Sequence, residues 1–366
     1  MDKLSFLILI IPCIYALMMI AFAFGWLWLP AYRNECRKSV SIIIAVRNEE
    51  ENIPQLLQGL HLQSYPTHLL QIIIVDDHST DRTFQLIEND PLVQNIRLPS
   101  NLQGKKAAIQ KGIEEAKGEI LLFTDADCFL PPDWVTSMIM PFANEKIHLV
   151  AGPVQIKGEG LWAKIQEIEF YSLMAVTAGS IGIRLPLMNN ASNMAVRKQS
   201  WYEAVLMGLG KKFVSGDDVF MMMSIAKIFG SRSITFLKSN KAIVVTKALR
   251  NISDFFRQRM RWASKTKGYS AILPRLVAFI VLLTNLLFLI SMFWAIFYFP
   301  AFSLTIEIFI VKSLADLVVM IPALRFFQSL WKIPAIIFLQ PFYPFYVVSV
   351  ALMSLWARNV WKGRRI

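Results

Sequence analysis

Residues 4–29 form an uncharged run of 26 residues, LSFLILIIPCIYALMMIAFAFGWLWL. A helix needs about 20 apolar residues to cross the hydrocarbon layer, so this run predicts a membrane-spanning helix and ties the chain to a bilayer. A cleaved leader fits less well. The small-x-small candidate, Ala21-Phe22-Ala23, lies well inside the run, and Asp2 and Lys3 cancel in front of it. Arg33, Arg37 and Lys38 follow directly, which places the next segment on the cytosolic side by the positive-inside rule. Three further apolar stretches lie near the other end, at 276–298, 302–321 and 333–356. Pro334, Pro341 and Pro344 interrupt the last, which reads as a span, a re-entrant loop or an interfacial segment. Lys312 and Asp316 are four residues apart in the second, so they share a helix face and are expected to pair.

The formal charge is +12, from 38 Lys and Arg against 26 Asp and Glu. Much of the positive charge flanks apolar segments, so an anionic membrane face explains it better than nucleic acid does. The three cysteines, Cys13, Cys36 and Cys128, are dispersed and make neither a metal motif nor a disulfide framework. The expected division is an anchor at 1–30, a cytosolic domain at 38–248, an interfacial amphipathic segment at 249–272, a membrane region at 275–357 and a basic tail at 358–366.

The middle of the chain alternates apolar runs with helical patterns. VSIIIAV at 40–46, LQIIIV at 70–75 and ILLFT at 120–124 are apolar on both faces, as strands at the centre of a parallel sheet are. Helical patterns at 49–60, 81–89 and 104–117 separate them, which predicts βαβ units and an α/β, doubly wound, Rossmann-like sheet. Ligands in such sheets bind beyond the carboxyl ends of the strands. Asp76 and Asp77 end the second run, and Asp125 and Asp127 follow the third, so four carboxylates are expected along one edge.

Each acidic group has its own chemistry. Asp125 and Asp127 alternate just past a strand, so they face one side. One can ligate a divalent ion while the other holds it through water or binds a ribose. A magnesium site commonly uses one or two carboxylates with substrate phosphates. Asp76 and Asp77 can accept from a uracil imide or from ribose hydroxyls, while Ser79–Asp81 also suits a helix start. Lys105, after Gly104, can meet a diphosphate. Asp217 and Asp218 precede a helical stretch at 219–228 and read either as an N-cap pair or as a general base. Glycosyl transfer with inversion needs one carboxylate to take the acceptor's proton. Gln258, Arg261 and Trp262 fall at i, i+3 and i+4 of an amphipathic segment, offering an amide, a guanidinium and an indole on one face.

In order along the chain stand Arg47-Asn48-Glu49, Asp-Asp-x-Ser-x-Asp, Gly-Lys, Asp-x-Asp, Gly-Asp-Asp and Gln-x-x-Arg-Trp. This set, spanning residues 41–262, closely resembles the family 2 inverting glycosyltransferases of GT-A fold. It looks most like the ceramide-glucosyltransferase-like and related bacterial membrane enzymes. The resemblance implies a GT-A domain with one N-terminal and two to three C-terminal membrane helices. It implies that Asp76 or Asp77 holds the nucleoside beside Arg47, Asn48 and Glu49, with Lys105 near the donor. Asp127 would bind Mg2+ or Mn2+, and Asp125 the ribose or a metal-bound water. Asp218 would be the base, Asp217 its acidic neighbour, and Gln258, Arg261 and Trp262 would bind diphosphate and cover the acceptor end. The sequence departs from the family at Asp217, where Glu is usual, at His78, often Gly, and at Gln110, often Asn. The loop at 189–193 lacks the family's usual glycines.

The implied activity moves a sugar from a nucleotide-diphosphate donor, with uridine the commonest base, to a membrane lipid or lipid-linked acceptor in a bacterial inner membrane. A processive polysaccharide synthase is the alternative, and the small number of spans offers little material for a polymer channel. A non-catalytic nucleotide-sugar-binding scaffold is the third reading, and the carboxylates retained at all three acidic sites argue against it.

Overall fold

The computed structural model describes residues 3–208, 217–264, 268, 272–356, 360–361 and 364–365. The chain divides into two compact units. One comprises Met1–Trp28, Ile168–Ile183 and Leu249–Arg358, and the other Leu29–Glu167, Arg184–Ala248 and Asn359–Ile366. The middle segment expected at 38–248 is thus interrupted: residues 168–183 group with the apolar helices.

The elements run α1 (Lys3–Trp28), β1 (Val40–Val46), α2 (Ile53–His61), β2 (Leu70–Asp76), α3 (Thr83–Glu88), β3 (Val93–Arg97), α4 (Lys105–Glu115), β4 (Ile120–Phe123) and β5 (Cys128–Phe129). Then come α5 (Trp134–Ile139), β6 (Leu149–Ala151), β7 (Val154–Lys157), α6 (Gly160–Gly182), β8 (Met194–Arg197), α7 (Lys198–Leu206), α8 (Asp217–Phe229), β9 (Ile234–Phe236) and β10 (Val244–Lys247). The chain continues through α9 (Ile252–Ser264), α10 (Ile272–Phe297), α11 (Ala301–Phe326), α12 (Ile333–Leu339) and α13 (Tyr343–Met353).

In the α/β unit a seven-stranded sheet has the order β3-β2-β1-β4-β8-β6-β9. Every residue of β1 and β4 is buried, as their apolar sequences require. The four strands β3, β2, β1 and β4 are parallel. Val46 is level with Asp76, and Ile43 with Phe123, so the carboxyl ends of β1, β2 and β4 share one edge.

The sheet is not parallel throughout. β8 runs antiparallel to β4, with Phe123 opposite Met194. This reversal has a direct consequence for the site. Continuing the register past the strand ends brings the residues after Phe123 beside those before Met194, so Asp125 faces Ser192. A second sheet, β5-β10-β7, pairs Thr246 with Cys128 just beyond Asp127.

The loop before β8 is fixed from beneath. Asn193 is fully buried and donates to the carbonyls of Pro153 and Ala242, both at 2.8 Å. Its Oδ1 accepts the indole N–H of the fully buried Trp134 at 2.9 Å. A Cβ at Gly152 would lie 2.3 Å from the Asn193 amide, so only glycine fits there.

In the helical unit, α1 and α6 meet backbone to backbone. A Cβ on Gly25 would lie 2.0 Å from Gly179 O, and one on Gly179 would lie 2.3 Å from Phe22 O. Small residues let helices approach this closely, which gains van der Waals contact where no hydrophobic drive separates protein from lipid. Gly179→Val is expected to lower stability by about 2–3 kcal/mol through overpacking. Thermal unfolding of the detergent-solubilised chain measures it, and an unshifted midpoint would show that the helices separate freely.

Among the described residues, two helices, Leu7–Trp28 and Ile272–Phe297, are long and apolar enough to cross a membrane. The count rises to three if the bent pair Leu330–Leu339 and Tyr343–Trp356 is one span. That pair is bent by 71°, which matches a segment broken by prolines. The segment expected at 302–321 lies within the continuous helix α11, which carries Glu307, Lys312, Asp316 and Arg325 along its length. Lys312 and Asp316 do pair, at 2.7 Å. They are joined by the Tyr15 hydroxyl, which donates to Asp316, and by Gln340 Oε1, which accepts from Lys312 at 2.9 Å. This polar node links α1, α11 and the α12–α13 bend.

Candidate active site

The loops after β1 and β2 are laced together. Arg47 donates to the carbonyls of Asp77 and His78 at 2.6 and 3.0 Å. Asn48 donates its backbone N–H to Ser79 Oγ at 3.0 Å and accepts from Thr80 N–H at 2.9 Å. The Glu49 N–H reaches Thr83 Oγ1 at 2.7 Å. Asp81 accepts from the backbone of Glu50 and Thr83. Burial works upward on its pKa, but the hydrogen bonds from Thr83 and Glu50 outweigh it and hold the carboxyl below its usual value. Asn48 and His78 both have positive φ, 50° and 54°. A left-handed residue at 78 explains why glycine suits that position.

Asp76 and Asp77 are both almost fully buried. Asp76 accepts from Ser79 N–H at 3.2 Å, and Asp77 Oδ2 accepts from Gly104 N–H at 3.0 Å. In this arrangement the pair braces the loop and the start of α4. Lys105, the first residue of α4, makes an ion pair with Asp125. The Gly-Lys segment is therefore joined both to the Asp-Asp motif and to the Asp-x-Asp motif.

At the end of β4 the antiparallel register is realised in side chains. Ser192 Oγ donates to Asp125 Oδ2 at 2.7 Å. The next residue back, Ala191, donates its N–H to Asp218 Oδ2 at 3.3 Å. Asp218 Oδ1 accepts the Val219 N–H at 2.9 Å, in the first turn of α8. Two carboxylates 93 positions apart in sequence thus hang on adjacent residues of one braced loop. Asp217 opens α8, while its side chain, together with Ser215 and Gly216, falls outside the described residues.

Asp127 is exposed at the rim and accepts from Thr246 Oγ1 at 3.2 Å. Although it reaches solvent, protein crowds it. That burial, with the charges of Asp125 and Glu49, pushes its pKa up, against Lys105 and Thr246. Behind it, Cys128 is buried, and burial and the two aspartates push its thiol well above its usual range. It is therefore no nucleophile.

Among the described residues, no group of three or more His, Cys, Asp or Glu side chains is arranged to hold a metal by itself. The donor set nonetheless fits a hard cation that completes its shell with phosphate and water, since Asp127 and Asp125 are oxygen donors two residues apart at one strand end.

Gln258, Arg261 and Trp262 lie on α9 in the helical unit, all half-buried. Because α9 is helical through all three, they fall at i, i+3 and i+4 on one side of it, as the spacing predicts. Trp262 belongs to the stripe of Phe255 and Arg259, with its ring 4.4 Å from the Arg259 guanidinium and 6.4 Å from Phe170.

Sequence reasoning missed Ser192, Thr246, Glu169 and Arg259. Ser192 stood in a loop whose lack of glycines drew attention, but its partner emerges only from the β4–β8 register. Arg259 stood in the open between Gln258 and Arg261, where charge on an amphipathic helix signals solvent.

The sheet order and the row of carboxylates at one strand edge define an α/β architecture of the GT-A kind. Residues 41–206 match the family model described as Glycosyl transferase family 2.

Curated relatives align over shorter stretches. Glycosyltransferase AglE of Haloferax volcanii is 33% identical over 119 residues, 32% of this chain and 39% of the relative. Beta-monoglucosyldiacylglycerol synthase of Nostoc sp. is 31% identical over 152 residues, 38% and 32%. Undecaprenyl-phosphate 4-deoxy-4-formamido-L-arabinose transferase of Pseudomonas fluorescens is 36% identical over 107 residues, 27% and 31%. The matches span only about a third of the relatives' own length. Among solved structures, the mannosyltransferase PcManGT from Pyrobaculum calidifontis, in complex with GDP-Man and Mn2+, superposes with a TM-score of 0.61 at 18% identity. That likeness covers 97% of this chain and 99% of the other, and it establishes the fold.

Proposed function

We propose that the chain is a membrane-anchored inverting glycosyltransferase. It moves a sugar from a nucleotide-diphosphate donor to a membrane lipid or lipid-linked acceptor on the cytosolic side of a bacterial membrane. The observation that carries this reading is the single loop holding Asp125 through Ser192 and Asp218 through Ala191. A donor-side carboxylate and a carboxylate poised as base are thereby held at one strand edge.

In this reading Asp218 takes the proton of the acceptor hydroxyl as its oxygen attacks the anomeric carbon. Lys105, paired with Asp125, lies where it can share its charge with the donor diphosphate. Asp76, Asp77 and the Arg47–Asn48–Glu49 loop form the floor for the nucleoside. Asp127, with Asp125, would hold Mg2+ or Mn2+, whose chemistry is to neutralise the diphosphate as it leaves. Gln258 and Arg261 offer an amide and a guanidinium to the acceptor phosphate or diphosphate, and Trp262 covers the acceptor end. The relatives named for diacylglycerol and undecaprenyl phosphate support a lipid-borne acceptor, as do the apolar helices.

The test incubates membranes containing the chain with labelled UDP- and GDP-sugars and Mn2+ or Mg2+, then extracts lipid. A discrete labelled glycolipid, lost with excess chelator, is expected. Label in a polymer would favour a processive synthase, and no label in any fraction would end the reading.

A further inference from the structure

We propose that Arg259, which follows Gln258 inside the Gln-x-x-Arg-Trp segment, is its positioning residue, held in turn by Glu169 and Tyr346. The proposal rests on the reading above that Gln258 and Trp262 serve the acceptor.

All the groups involved lie in the helical unit. Arg259 is 3% exposed and Glu169 8% exposed, so the pair is withdrawn from water. The guanidinium meets the carboxylate with two bonds, Nε to Oε1 at 3.0 Å and Nη2 to Oε2 at 2.5 Å. Such a fork fixes direction as well as charge. The Tyr346 hydroxyl donates to Glu169 Oε1 at 2.9 Å, so α6, α9 and α13 converge on one carboxylate.

The rest of the guanidinium is directed at the motif. Its remaining terminal nitrogen donates to Gln258 Oε1. Its Cζ lies 4.4 Å from the ring centres of both Phe255 and Trp262. One buried cation therefore sets the amide of Gln258 and the indole of Trp262. Lysine could keep the charge, but it has neither the bidentate fork nor the flat face.

A residue that only anchored the helix would contact the helices beneath it. Arg259 does so through Glu169, but it also gives a hydrogen bond to Gln258 and a close cation contact to Trp262, two side chains assigned to the acceptor. Phe255 against Tyr346, at 5.7 Å, supplies anchorage that does not depend on it.

The experiment compares the full-length protein with Arg259→Lys, Glu169→Gln and the double variant in detergent. Decaprenyl phosphate and dioleoylglycerol serve as acceptor probes. Both single variants are expected to raise acceptor KM about tenfold, with donor KM held within about twofold. The double variant should be no worse than the poorer single, since both remove one coupled interaction. Unchanged acceptor KM in both singles overturns the proposal. So does an equal loss of donor and acceptor terms that tracks a fall in Tm. Should wild type transfer no sugar at all, the proposed activity fails, and amide exchange decides the positioning claim. Arg259→Lys should then speed exchange over residues 252–264 while α10 stays protected, and unchanged protection of 252–264 would refute it.

Discussion

Asp218→Asn is expected to lower kcat by about 10³-fold, within the range a positioned general base contributes. The substitution preserves shape and keeps one carbonyl-type oxygen to accept the Ala191 N–H now held at 3.3 Å. It removes the negative charge and the basic lone pair. Because the side chain is only half-buried in the first turn of α8, folding should be little affected. Donor binding should stay within about threefold, since the loss falls on a step and not on ground-state affinity. Initial rates with labelled donor give kcat, and calorimetric titration with the nucleoside diphosphate gives the binding term. Activity within about tenfold of wild type would place the base elsewhere. A scaffold that only binds nucleotide-sugar would keep its cellular role in this variant, so the same substitution separates the two classes of protein.

Much of the α/β unit was legible because its signals are local. VSIIIAV is a strand because β-branched residues apolar on both faces fit only the middle of a sheet. The boundaries of β1 fell where the sequence put them, and those of β2 and β4 within one residue. The carboxyl edge followed, since parallel neighbours in register must end together. What the sequence could not carry was the reversal at β8. MAVR at 194–197 is four residues long and has no marker of direction, yet its antiparallel pairing decides that Ser192 meets Asp125.

In the helical unit the apolar helices and the Lys312–Asp316 pair were legible, but the way the helices pack was not. Residues 168–183 fell inside the segment expected to form one domain at 38–248, and their grouping with α1 depends on glycines whose meaning is visible only across the helix contact, Gly25 against Gly179 and Gly182. Arg259 was opaque because a cation on an amphipathic helix usually faces water. Only a carboxylate 90 positions away, brought in by α6, makes burial affordable.

Asp127→Ala should abolish detectable transfer, a loss of about 10³-fold or more, because charge development on a leaving diphosphate is worth several kcal/mol. The side chain stands at the rim, with Thr246 as its hydrogen-bond donor, so its removal leaves the β4–β8 register and the Asp125–Ser192 bond intact. Excess Mn2+ should not restore the variant, whereas it should restore wild type after chelation. The raised pKa of Asp127 adds a pH test whose sign is fixed. Its carboxyl takes up a proton at higher pH than an ordinary aspartate, because burial and the charges of Asp125 and Glu49 disfavour the anion. As pH falls through that raised value, proton and cation compete for the same oxygens, and the apparent cation affinity must drop. Raising the cation concentration should therefore move the acid limb of the rate profile to lower pH. Cation-saturation curves at two pH values below neutrality measure the shift. An acid limb indifferent to cation concentration, or an Asp127→Ala variant that still transfers sugar in excess chelator, would remove Asp127 from the metal site.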